Sequence, residues 1–163
     1  MNTLNTLVCR GFVLCTSGIT PNDGFVLENS GQGKEAQFVY INNGGGFLRF
    51  ANGDVLPVDA GNIYDISQYV GTPVRYEADG RGAHGMAIDP VPSSKKFDHE
   101  LVKGEATRSI VGTSNECLVL CLDGTITCND IELKSTQYAP VRNGKTVNVS
   151  VPANAVMVIL TAR

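Results

Sequence analysis

Glycine, proline, asparagine and aspartate interrupt this chain roughly every 8 to 12 residues, and the runs between them are short, apolar and β-branched. That rhythm constrains the fold more than any other feature. An amphipathic helix needs apolar residues recurring with a 3.6-residue period over several turns. No stretch here sustains one. The expectation is an all-β chain: an antiparallel β-sandwich or jelly-roll-like barrel of short strands, with little helix.

The runs are placed as follows. LVCRGFVLC (7–15) reads as one strand and TPNDG (20–24) as a turn, with proline presetting φ and Asp-Gly tolerating positive φ. FVLEN (25–29) and AQFVYIN (36–42) read as strands. NGGG (43–46) is expected to turn the chain, so that FLRFA (47–51) returns antiparallel. Asn52-Gly53 is a strong hairpin signal and leads into DVLPVD (54–59), where Pro57 confines the strand to an edge or a bulge. NIYDISQYVG (62–71) is open between strand and a short helical turn. In TPVRYEADG (72–80), Val74, Tyr76 and Ala78 face one way and Arg75, Glu77 and Asp79 the other. GRGAHG (80–85) reads as a loop and MAIDPVP (86–92) as a short strand.

In the second half, CLVLCLDGTITC (117–128) is expected to be a hairpin turned at Asp123-Gly124. Near the end, Val147, Val149 and Val151 alternate with Asn148, Ser150 and Pro152, giving one apolar and one polar face. AVMVIL (155–160) is apolar on both faces and must be covered on both sides, in the core or at a subunit contact. The 163 residues suit one domain. PVPSSKKFDH (90–99) is the best linker, but each half would be small for independent stability. A single sandwich over 1–163 is therefore expected, with a two-lobe division near 90–99 as the alternative.

Charged residues are 18% of the chain and the net charge is −3. The usual charged share is about 25%, so the surface is charge-poor, which points weakly to assembly. The only basic cluster is Lys95-Lys96, so no direct nucleic-acid contact is expected. No apolar run approaches the ~18 residues of a membrane span, so no membrane partner is expected. The N-terminus lacks the basic-then-apolar pattern of a secretion signal, and five cysteines are an odd number for a disulfide framework. Both point to folding in a reducing cytosol.

The search for chemistry assigns no catalytic, cofactor-binding or metal-binding residue. Cys117 and Cys121 are separated by Leu-Val-Leu. Four residues of strand hold two Cα atoms about 13 Å apart, and a zinc site needs a turn between such ligands. The cysteines read as small buried hydrophobes. His84 and His99 sit in glycine-rich or polar sequence and read as solvated loop histidines. Ser17 and Ser114 lie in no nucleophile elbow. Asp23, Asp54, Asp59 and Asp79 lie in or beside expected turns, where aspartate bonds its own backbone. No cofactor is expected.

Two segments carry a family likeness: FVYINNGGGFLRFANGDVLPVDAGNIYDI (38–66) and KTVNVSVPANAVMVIL (145–160). In this strand-and-turn style the chain resembles tailed-bacteriophage virion accessory proteins, above all capsid decoration (cement) proteins. The resemblance implies a non-enzymatic virion protein on the capsid exterior, made in the host cytoplasm, that stabilises the phage head by bridging major capsid subunits. It implies a homo-oligomer, with a trimer favoured, and transfers no site residue. The alternative is a receptor- or carbohydrate-binding β-sandwich module of a tail or head adhesin. That would need exposed aromatics, whereas the chain has no tryptophan and its tyrosines (Tyr40, Tyr64, Tyr69, Tyr76 and Tyr138) are scattered.

Overall fold

A computed structural model describes residues 3–9, 12–19, 21–22, 24–26, 37–69, 72–90 and 96–163. The described residues are almost entirely β-strand, and every strand pairing is antiparallel. The chain divides into two compact units, Met1–Ser94 and Lys95–Arg163. The boundary falls inside the 90–99 stretch.

The first unit contains β1 (Thr3–Cys9), β2 (Phe12–Ile19), β3 (Gly24–Val26), β4 (Phe38–Phe50), β5 (Val55–Asp59), β6 (Asn62–Asp65) and β7 (Val74–Pro90). A 3-10 turn, Ser67–Tyr69, follows β6. The strand order is β1-β2-β7-β4-β5, with β3 also on β7 and β6 also on β4. The stretch 7–15 is two strands rather than one. Cys9 pairs with Phe12, and residues 10–11 lie outside the described residues. Residues 27–29, the end of the expected strand FVLEN, also lie outside them.

The largest correction concerns the two glycine-rich segments. Neither NGGG nor GRGAHG leaves the sheet. The first lies inside β4, 13 residues long, and the second inside β7, 17 residues long. They pair with each other: Asn43 faces His84, Gly44 faces Ala83, and Gly46 faces Ala78, with register shifts between Ile41 and Asn43 and between Gly44 and Gly46. Extra residues in a ladder bend a strand and sharpen its twist. Gly44 takes φ +77°, and a Cβ there would run into the Gly82 carbonyl of β7. The glycines are demanded by close backbone approach within a bulged ladder, not by a reversal of the chain.

Bending splits each long strand into two working halves. Residues 38–41 of β4 pair with β6, and residues 45–49 pair with β5. Arg75–Glu77 of β7 pair with β3, and its far half pairs with β2. The alternation expected over 72–80 is present: Val74, Tyr76 and Ala78 are buried and Arg75 is exposed. Arg49 and Arg75 are direct cross-strand neighbours. Glu77 separates their like charges, accepting from Arg49 Nε at 2.6 Å and Arg75 Nε at 3.2 Å. Pro57 sits on β5, at the end of the strand order, where a missing N–H costs nothing in the ladder.

The second unit contains β8 (Phe97–Lys103), β9 (Ala106–Val111), β10 (Cys117–Asp123), β11 (Thr125–Cys128), β12 (Ile131–Lys134), β13 (Tyr138–Pro140), β14 (Thr146–Val151) and β15 (Val156–Ala162). They form two four-stranded sheets, β13-β10-β15-β8 and β12-β11-β14-β9. Val119, Cys121, Met157 and Ile159 of the first sheet share one core with Ile126, Cys128, Val147, Val149 and Val151 of the second. CLVLCLDGTITC is therefore not a hairpin. Its halves, β10 and β11, belong to different sheets, and Gly124 at φ +72° carries the chain from one to the other. The hairpin instead joins β11 to β12, through Asn129 and Asp130 at φ +47° and +67°, the positive pair that a tight two-residue turn requires.

The C-terminal alternation holds, with Val147, Val149 and Val151 buried and Asn148 and Ser150 exposed. Met157 through Leu160 are all buried, and β15 is an inner strand between β10 and β8. Cys117, Cys121 and Cys128 are free, buried thiols. Burial pushes the Cys121 thiol up to about 11, so it is an inert neutral hydrophobe near pH 7.

Candidate ligand pocket

Inside the first unit, the inward faces of β4 and β7 meet at their bulges. Close packing demands side-chain volume, and here Gly85, Ala83 and Ala87 supply little. The result is a cavity of about 20 Å³, walled by Ile19, Val39, Ile41, Leu48 and Met86 as well as Tyr76. That is room for about one water molecule before any side chain moves.

Tyr76 supplies the one side-chain polar atom of this lining. Alternation along β7 turns it inward, and it is only 4% exposed. Its hydroxyl is buried and has no hydrogen-bond partner in the protein. A buried tyrosine hydroxyl ordinarily finds a partner. Burial, then the charge of Asp79, pushes the phenol up to about 12. Near neutral pH it is a hydrogen-bond donor and not a base.

The charges that act on Tyr76 belong to one cluster. Arg81 on β7 donates to Asp79 Oδ2 at 2.7 Å and to Asp59 Oδ1 on β5 at 3.0 Å. To reach both it lies across β4 at Gly45, where a Cβ would collide with the guanidinium. Tyr64 Oη accepts from the Asp59 N–H at 2.8 Å. The hydrogen bonds from Arg81 hold the Asp79 carboxyl below the usual carboxylate range.

Asp54 lies in the turn between β4 and β5, its N–H donating to Asn52 Oδ1 at 2.9 Å, and Asp79 accepts at Oδ1 from the Arg81 N–H two residues on, at 2.9 Å. Asp59 and Asp79 are strand residues, and Asp23 lies outside the described residues. The histidines are likewise not in loops. His84 is exposed on β7, its Nδ1 at 2.5 Å from Asn42 Oδ1, and His99 is exposed on β8. Ser114 is exposed after β9, and nothing is described of the Ser17 side chain.

A second concavity, open and polar, lies on β9, β11 and β14 of the second unit. Thr107, Ser109, Thr127, Asn148 and Ser150 line it, and its volume is about 640 Å³. Ser109 Oγ donates to Asn148 Oδ1 at 2.9 Å.

No protein-family model matches the sequence, and no curated protein matches it. Solved structures do match. AerE from Microcystis aeruginosa aligns at TM-score 0.64 and 10% identity, over 99% of this chain and 92% of its own. The cupin 2 conserved barrel domain protein from Leptotrichia buccalis aligns at TM-score 0.59 and 11% identity, over 100% and 89%. The fold is cupin-like. Bacterial pirin YhhW from Escherichia coli, in complex with nickel(II), aligns at TM-score 0.62 and 9% identity, over 99% and 98%.

These matches overturn the capsid-decoration function expected from the sequence, and the adhesin alternative with it. The likeness behind it was a style of strand and turn, which any small all-β chain shares. The described strands align with those of cupin-fold proteins.

The described residues do not fit an ion such as the nickel(II) of YhhW. Among them, no three His, Cys, Asp or Glu side chains gather at one point. The pocket lining carries hydrocarbon and one phenol, and a transition-metal site needs imidazole, thiolate or carboxylate donors.

Proposed function

We propose that the protein binds a small, largely apolar molecule inside its first unit, and that it acts by binding rather than by catalysis. The observation that supports this is the cavity at the paired bulges of β4 and β7, lined by apolar side chains around one convergent polar group. As it stands the cavity holds about one water, so on this reading its walls move apart to admit the ligand. The residues that could have formed a catalytic pair, His84 and His99, are exposed on separate units. A protonated phenol in hydrocarbon can orient a ligand but has no base beside it to pass a proton to.

The test follows the methyl resonances of Ile41, Ala83 and Ala87 in the full-length protein while xenon and small cyclic hydrocarbons are titrated in. Binding inside the first unit shifts all three saturably, and Ala87→Leu, which fills the cavity, abolishes the shifts. If no probe moves the Ile41 methyls, or Ala87→Leu leaves the shifts intact, the function is not this one.

A further inference from the structure

We infer that Tyr76 makes this pocket selective for a neutral molecule that carries one hydrogen-bond acceptor, a carbonyl or ether oxygen, on a compact apolar body. The inference rests on the binding reading above and adds to it the chemistry of the ligand. Three observations carry it. The Tyr76 hydroxyl is buried with no protein partner. It shares the lining of the cavity with apolar groups alone. The nearby cation, Arg81, is already engaged by two carboxylates.

Each observation removes a class of ligand. A hydrocarbon would strip water from the hydroxyl and put nothing in its place, leaving a buried donor unsatisfied. A carboxylate or phosphate would enter a hydrocarbon wall without a free cation to meet it, and an ammonium would find no carboxylate in the lining. A neutral acceptor satisfies the phenol O–H and leaves the rest of the molecule to the apolar wall. A site built around one buried polar group rejects ligands that cannot complete it more strongly than a purely apolar site rejects a change in size. Leaving such a donor unpaired corresponds to roughly a tenfold to hundredfold loss in affinity.

The experiment compares two probes of nearly the same shape, cyclobutanone and methylenecyclobutane, which differ in whether an oxygen or a methylene group caps the ring. Dissociation constants are read from the Ile41 methyl shifts in wild type and in Tyr76→Phe. Wild type is expected to bind the ketone at least tenfold tighter, and Tyr76→Phe to bind the two equally or to prefer the hydrocarbon. Equal binding of both probes by wild type overturns the selectivity while leaving the pocket in place. A ketone preference that survives in Tyr76→Phe assigns the selectivity elsewhere and overturns the inference. Failure of both probes to move the Ile41 methyls removes the pocket itself, and the inference with it. Tyr76→Phe deletes only an unpaired hydroxyl, so its fold is expected to persist, and the wild-type comparison decides the matter without it.

Discussion

The two units solve the same problem in opposite ways. Both start from short alternating runs that must bury one face. The second unit keeps its strands to seven residues or fewer and changes sheet at turn residues, so that two sheets close over a core of valine, isoleucine, methionine and cysteine. The first unit keeps two strands long and bends them with paired bulges, where glycines stand in the middle of the ladder. Bending by glycine removes side chains from the place where the strands meet. The first unit is thus left with a cavity and an unpaired phenol, whereas the second buries thiols in a shared apolar core.

That contrast can be broken at several points. The largest effect is expected at Gly44, where a β-branched side chain combines a positive φ with collision against the Gly82 carbonyl. Gly44→Val should cost about 3 kcal/mol or more, or prevent folding. Gly144→Ala, at φ +73° with open space around it, should cost only about 1–2 kcal/mol. Equal costs by chemical denaturation would mean that the bulge is not the tight approach described.

The next effect is a pH window. Tyr76 is held at about 12 against an ordinary value of 10.0, so the folded state binds this proton more tightly than the unfolded chain. The contribution is complete below the ordinary value and fades as pH rises through the folded one. Relative to Tyr76→Phe, wild type should lose roughly 2–3 kcal/mol of stability across that interval. A constant difference between the two proteins throughout it would show that the phenol is not buried as described.

Packing gives a smaller and more direct comparison. Ala155 is 1% exposed within the core of the second unit, and Ala155→Val should cost about 1–3 kcal/mol by overpacking. Ala87 is 3% exposed but borders the cavity, so Ala87→Val should fall within about 0.5 kcal/mol of wild type. If the order reverses in thermal unfolding, the void belongs to the other unit. The smallest effect is expected at Arg81, whose partners are exposed carboxylates. Arg81→Gln should lower the thermal midpoint slightly at low salt, and the difference should vanish at high salt.

Much of the fold was legible in the residues. Val147, Val149 and Val151 announce a half-buried strand, AVMVIL an inner one, and Asn52-Gly53 a hairpin, because side-chain direction has a period of two and turn geometry is local. The glycine-rich segments misled because a glycine needed for positive φ at a turn looks the same as one needed where two backbones touch. The site was less legible still. Tyr76 could be placed on an inward face from Val74, Tyr76 and Ala78 alone, and a buried phenol always raises the question of its partner. Whether it had one depended on what β4 brought opposite.

The sequence by itself determined that this chain would be built of short antiparallel strands with an apolar C-terminal centre, since burial of alternating residues and the chemistry of turns act within a few positions. Which strands became neighbours, that two presumed turns would instead cross in mid-sheet, and that a cavity with one orphaned hydroxyl would open beneath them were decided only by the tertiary structure. Those outcomes follow from pairing between residues some forty positions apart, such as Asn43 and His84. Local pattern specifies the face a side chain takes, but not what the rest of the chain will set against it.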